Sequence, residues 1–321
     1  MGSRKLLSPG RVLLGVVALV APLAVGAAVT PAHAAAPLSW TVLVGNETSD
    51  AAIQGERFLP GDITIDAGDS VTWHANSSEI HTVTFINGGT AQASVPPLDP
   101  TDPNQITPQG GTTMGPGYFN SGLLTTMPEF SPLPVPVFKS YTLTFPNTGN
   151  FTYYCLVHGM MMRGVIHVQA AGSPYPATQA DYDADAAFLG HAIIADGKAL
   201  RAETSAIATP HKVYMGPDDG IATVMRFLHR KVVIHKGEKV RFLNTRSAGA
   251  PHTVTFGTKP QGAAIFTPTG DPTNYRGGDL HSGVIEPQGR FVVTFKKAGK
   301  FHYVCMLHRD MGMKGVVVVK R

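Results

Sequence analysis

Apolar and polar positions alternate over short stretches of this chain, and turn residues separate the stretches. Ser70-Val71-Thr72-Trp73 and Tyr141-Thr142-Leu143-Thr144-Phe145 have this period of two, as do Lys239-Val240-Arg241-Phe242 and the run Phe291 to Phe295. A period of two predicts strands with one buried face. The turns Asn147-Thr148-Gly149 and Lys297-Ala298-Gly299 lead into Phe151 to Tyr154 and Phe301 to Val304. A short β-branched strand closes each series, Val165 to Val168 in one and Val316 to Val319 in the other. Many short strands at turn-punctuated spacing predict an all-β chain of Greek-key β-sandwiches. The pattern changes once. From Thr178 to Leu200 the apolar residues Tyr182, Ala186, Leu189 and Ile193 fall at helical spacing, which predicts a short connecting helix.

These strands belong to an internal repeat. Val42 to Gly45 answers to Val213 to Gly216, Phe58 to Ile65 to Phe227 to Ile234, and Gly68 to Trp73 to Gly237 to Phe242. Ser121-Gly122-Leu123 answers to Ser282-Gly283-Val284, and Tyr141 to Cys155 matches Phe291 to Cys305 without a gap. A repeat of about 110–130 residues means two tandem domains rather than a solenoid. The expected division is domain 1 over 35–170, a linker with the helix over 171–210, and domain 2 over 211–321. The first copy carries an insertion between Gly88 and Pro136, rich in Pro and Gly, expected as a long surface loop that covers or docks something.

Residues 1–34 read as a signal peptide. Arg4, Lys5 and Arg11 precede an uncharged apolar run from Val12 to Val29, and Ala32-His33-Ala34 is a small-x-small cleavage site, with the cut expected after Ala34. A retained membrane anchor is the alternative, and only then would the chain associate with a membrane. The mature protein is expected to be secreted, or at least extracytoplasmic.

Charge is unevenly distributed. Residues 35–170 hold 10 acidic and 3 basic side chains, whereas residues 206–321 hold 7 acidic and 18 basic. Opposite halves are expected to attract each other or a neighbouring chain, and a homo-oligomer is left open. The basic half carries no nucleic-acid recognition motif, so no nucleic-acid partner is expected.

The only two cysteines of the 321 residues stand at the same register of the repeat. Cys155 is followed by His158 and by Met160, Met161 and Met162; Cys305 is followed by His308, Met311 and Met313. Upstream, His81 and His252 each open the pentapeptide His-Thr-Val-Thr-Phe. An exported chain with two cysteines would by default form one disulfide. Their equivalent positions, each with His at +3 and Met beyond, point instead to two metal sites. Two imidazoles, a thiolate and a weak axial thioether suit a mononuclear copper site for electron transfer, whereas zinc has little use for the thioether. The expected ligands are His81, Cys155, His158 and Met162 in one half and His252, Cys305, His308 and Met313 in the other, with two copper ions per chain. Met162 and Met313 share a register, each preceding x-Gly and the last strand; Met160, Met161 and Met311 remain alternatives for the axial place.

The pattern resembles the cupredoxins, the plastocyanin- and amicyanin-like blue copper proteins, over residues 38–170 and 211–321. The motifs are His81…Cys155-x-x-His158-x-x-x-Met162 and His252…Cys305-x-x-His308-x-x-x-x-Met313. The resemblance implies Greek-key β-sandwiches, type 1 copper and one-electron exchange with a redox partner protein or a small-molecule donor or acceptor. Many family members carry Asn after the first His, where this chain has Thr82 and Thr253. Tandem cupredoxin domains also occur in multicopper oxidases and copper nitrite reductases. The chain contains no His-x-His motif, and Tyr154 and Val304 stand where the reductase pattern has His before the ligand Cys. An electron carrier is therefore expected rather than an enzyme. Two alternatives stay open: a copper-binding or delivery protein, motivated by the Met-rich loop, and an oxidoreductase with an extra interface copper. His74, His167, His191, His211, His229, His235, His281 and His302 receive no assigned role.

Overall fold

The computed structural model describes residues 36–129 and 134–321; the leader expected at 1–34 lies outside them. Residues 35–321 form one unit, built from four sheets in two pairs. In the first pair, a five-stranded sheet runs Ala222–Val224, Ile53–Leu59, Ser39–Glu47, Ser70–Ala75, Ser140–Thr144. Facing it, a six-stranded sheet runs Asp62–Asp66, Gly159–Gln169, Gly149–Cys155, Thr84–Phe85, Phe119–Ser121, Pro108–Gln109. The second pair repeats this plan. Its sheets run Phe227–Leu228, Lys212–Met215, Lys239–Leu243, Arg290–Thr294 and Lys231–His235, Lys314–Lys320, Gly299–Val304, Thr255–Phe256, Leu280–His281. The all-β sandwich expectation holds.

The repeat persists into the packing. Phe58, Trp73, Phe85, Phe145 and Tyr153 fill the first core, and their counterparts Phe227, Phe242, Phe256, Phe295 and Tyr303 fill the second. Tyr153 lies 4.6 Å from Phe58 and Tyr303 lies 4.7 Å from Phe227, centroid to centroid. Aromatic pairs at this spacing add about 0.5–1.5 kcal/mol each beyond the area they bury. Cys155 ends the strand that carries Tyr153, and Cys305 follows the strand that carries Tyr303, so the core fixes where each thiol stands.

The halves meet along a seam that neither repeat alone reveals. Ala222–Val224, from the second half, pairs antiparallel with Ile53–Leu59 of the first, placing Thr223 opposite Gln54 and Ala222 opposite Gly55. By the repeat, Ala222 to Val224 are the counterparts of Ile53 to Gly55, so the strand pairs with its own equivalent about a local two-fold axis. The flanking bonds obey the same symmetry: Glu56 N–H donates to Ile221 O and Met225 N–H to Ala52 O, both at 2.9 Å. Arg57 and Arg226, also counterparts, each donate to a carbonyl across the seam, at Gly220 and Asp50 respectively. Two ion pairs cross from the basic half, Arg226–Asp50 to the first half and Arg246–Glu203 to the helix.

The helix is longer than expected, Gln179–Ile207, 29 residues, opened by a capping box between Thr178 and Asp181. Tyr182, Ala186 and Ile193 are buried as expected, but Leu189 is exposed. Gly190 and Gly197 replace it on the packed face, where a Cβ on Gly197 would meet Ile53. The helix thus lies over the seam, against Ile53, Leu59 and Ala222. The stretch that holds the insertion is not all loop. Phe119–Ser121, the counterpart of Leu280–His281, joins the sheet beside Thr84–Phe85, and Met114 and Phe119 enter the core. Other parts cover the end of the cysteine strand: Gln92 N–H donates to Tyr154 Oη, and Leu98 N–H to Leu156 O. Among the described residues, no helix is long and apolar enough to cross a membrane.

Candidate metal centres

Cys155 is the last residue of the strand Gly149–Cys155, and His158 lies on the turn that follows. Met162 sits within a bulge of the next strand, where pairing jumps from Gly159 to Arg163. His81 comes from the other side of the sandwich end, bridged to Leu124. The second half copies this. Cys305 follows Gly299–Val304, Met313 precedes Lys314–Lys320, and His252 is bridged to Ile285.

In each half the thiol and both imidazoles converge, with their candidate ligand atoms all within 4.8 Å of one another. Cys155 Sγ lies 3.9 Å from His81 Nδ1 and 3.4 Å from His158 Nδ1. Cys305 Sγ lies 3.8 Å from His252 Nδ1 and 3.5 Å from His308 Nδ1, and the two Nδ1 atoms are 3.1 Å apart. A three-coordinate first-row ion with bonds of about 2.0 Å to nitrogen and about 2.3 Å to sulfur spaces such atoms about 3.5–3.7 Å apart. The donor sets therefore fit a small ion of that class. Both cysteines are free and buried, which sets the default disulfide aside. Met162 and Met313 are fully buried; Met160 and Met161 are exposed, and Met311 is buried with its carbonyl accepting from Arg226.

The threonine after each first histidine ties the site together. Thr82 N–H donates to Cys155 Sγ and Thr253 N–H to Cys305 Sγ, each at 3.4 Å. Their hydroxyls accept from the next backbone amide, Leu156 N–H at 2.8 Å and Met306 N–H at 2.7 Å. Thr thus bridges the two ligand-bearing segments at the position where many family members have Asn.

Comparison with known proteins gives the same assignment. The model of copper-binding proteins of the plastocyanin/azurin family matches residues 212–320. Chloroplastic plastocyanin from Physcomitrium patens is 34% identical over 128 residues, covering 38% of this chain and 68% of that protein. The chain is a cupredoxin. Among solved structures, oxidised plastocyanin from Dryopteris crassirhizoma is 19% identical, matched over 34% of this chain and 99% of that one, with a TM-score of 0.25. A reduced Cu(I) amicyanin variant is 20% identical, matched over 36% and 83%, with a TM-score of 0.24.

Burial keeps most of this cupredoxin's site imidazoles neutral, with a lone pair free for a metal. It draws His81 and His308 well below the usual histidine range and takes His252 to about 4, the Gly216 backbone partly opposing the last shift. His158 differs. Burial lowers it, but the Cys155 thiol, then Glu79 and Asp218, outweigh burial and raise it. Burial also raises the Cys305 thiol against the amide donors around it.

The sequence pattern missed two kinds of residue here. Gly45 and Gly216, both with positive φ, press their backbones against His81 and His252, where a Cβ would strike the ring. Their recurrence in the repeat was the available signal. The others are acids at the seam. His158 Nε2 lies 3.7 Å from Glu56, and His308 Nε2 lies 3.8 Å from Glu79. Glu56 also accepts from Thr223 of the second half. Burial raises both carboxyls, Glu79 to about 7. The unassigned His281 is structural, bonded to Thr255 Oγ1 and Ile265 O.

Proposed function

We propose that this cupredoxin is an exported blue copper protein with one mononuclear type 1 site in each half, exchanging single electrons with a redox partner. The observation that carries the reading is the twofold occurrence of a buried Cys/His/His cluster whose Nδ1 and Sγ atoms already converge. His81, Cys155 and His158 would hold copper in the first half with Met162 axial; His252, Cys305 and His308 would do so in the second with Met313 axial. The buried places of Met162 and Met313 favour them over exposed Met160 and Met161. Copper supplies the one-electron couple. The chain supplies the framework: core aromatic residues fix the cysteine strands, and the threonine amides donate to the sulfur. Such a frame limits rearrangement when the oxidation state changes. The leader pattern and the plastocyanin relative support an extracytoplasmic location. Met160 and Met161, exposed beside His158, offer a soft apolar contact for a partner.

Exposed thioethers also favour a second reading, copper delivery without electron transfer. Fast reversible one-electron voltammetry at both centres counts against it. The primary test is copper content and visible absorption of the oxidised, loaded protein. Two coppers per chain and an intense blue colour are expected, the colour halved by Cys155→Ser or Cys305→Ser and abolished by the pair. A colourless loaded protein refutes the reading, and three or more coppers per chain would support an oxidoreductase.

A further inference from the structure

Each site's second histidine turns its far nitrogen, Nε2, toward the seam, and in both cases a carboxylate stands there. The two carboxylates have different origins. Glu56, facing His158, belongs to the same half as that histidine. Glu79, facing His308, comes from the first half and reaches a histidine of the second. The repeat explains why the second half does not serve itself: Met225 stands at the counterpart of Glu56 and Ala250 at the counterpart of Glu79.

Glu79 is held for this contact. It lies on the turn before His81, with its backbone N–H bonded to Gln54 Oε1 at 3.3 Å. Its side chain is 9% exposed, and Oε2, the oxygen nearest His308, has no hydrogen-bond partner among the described residues. A buried carboxylate oxygen without a donor is costly unless something compensates it. When Nδ1 of an imidazole serves a metal, Nε2 carries the proton, and a carboxylate beside it fixes the tautomer and ring orientation and strengthens the ligand.

We propose that Glu79 is a positioning residue for the metal site of the opposite half: across the seam it orients His308 and sets the balance between Cu(II) and Cu(I) there. This rests on the two-copper reading above. The contact makes the second site incomplete without the first half, and it makes the two sites inequivalent despite their matching ligand sets. A buried negative group favours the more highly charged ion, so Glu79 holds the potential of the second site down.

The test isolates each site in the full-length chain. Cys155→Ser leaves the second site alone and Cys305→Ser the first; Glu79→Gln is placed on both backgrounds. Midpoint potential and Cu(II) affinity are measured at pH 8 with Cu(II) as the only added metal. On the Cys155→Ser background, Glu79→Gln is expected to weaken Cu(II) relative to Cu(I) about tenfold, the size seen when such outer partners are lost. For a one-electron couple this raises the potential by about 59 mV. The shift on the Cys305→Ser background is expected to be smaller, and Glu79→Asp is expected to fall between Glu and Gln at the second site. An unchanged second site, or an equal or larger shift at the first, overturns the proposal. Circular dichroism of the apo chain checks folding; if Glu79→Gln does not fold, the same comparison is made with Glu79→Asp, whose shift must again be larger at the second site. Absence of blue absorption in the unsubstituted chain would instead sink the two-copper reading, so the two failures are distinguishable.

Discussion

Replacing Thr82 or Thr253 by valine probes how the sites are held before any metal arrives. The two side chains match in shape, so the perturbation is loss of one hydroxyl at a fully buried position. In Thr253→Val, Met306 N–H loses its 2.7 Å acceptor. A buried donor left without a partner costs about 1–3 kcal/mol, part of which the extra methyl group offsets, so about 1–2 kcal/mol is expected. Thr82 does more. Its hydroxyl accepts from Leu156 N–H and also bonds Thr84 Oγ1 at 2.9 Å, which in turn donates to Asn120 Oδ1. Thr82→Val therefore opens a chain of bonds and is expected to cost about 2–3 kcal/mol. The assay is urea unfolding of the metal-free protein. Tryptophan fluorescence reports the first half, because Trp40 and Trp73 are both buried in that core, and far-ultraviolet circular dichroism reports both halves. A cost below about 0.5 kcal/mol for both variants, or a larger cost for Thr253→Val, would refute the view that these hydroxyls tie the ligand segments together.

Acid should weaken the apo protein over a defined window. His252 is held neutral to about 4 in the folded chain, against an unfolded value near about 6.5, so the unfolded state binds more protons between those limits. Stability is then full above about pH 6.5 and falls as pH drops toward 4, by up to about 3 kcal/mol from this group. Thermal melts of the apo chain across that range check this, and a flat profile contradicts it. The methionines of one loop should separate by burial: Met162→Ala is expected to cost about 2–5 kcal/mol and Met160→Ser within about 0.5 kcal/mol, by urea unfolding.

The strands were legible because burial of one face leaves a period of two, and the duplicate copy marks which alternations matter. The histidine and cysteine positions were equally plain, since Cys155 and Cys305 share a register that chance does not produce. The helix was found but cut short, because beyond Leu200 its residues are mostly polar; Gly190 and Gly197, inside the expected span, lie on its packed face over Asn46 and Leu59 and over Ile53 respectively. The seam was not legible. Nothing in the local pattern singles out Gln54, Glu56 or Glu79, yet all three are buried near the line where the halves meet. No local pattern reports a burial created by a partner more than a hundred residues away.

The strand that pairs with its own equivalent has one more consequence. Were the halves separate identical chains, the interface would be self-complementary, and every residue placed on one side would recur on the other. Two glutamates would then become four, crowded into one dry layer. Covalent fusion lifts that obligation: methionine and alanine can answer glutamate, and a single polypeptide can hold twin ion cages in unlike electrostatic surroundings.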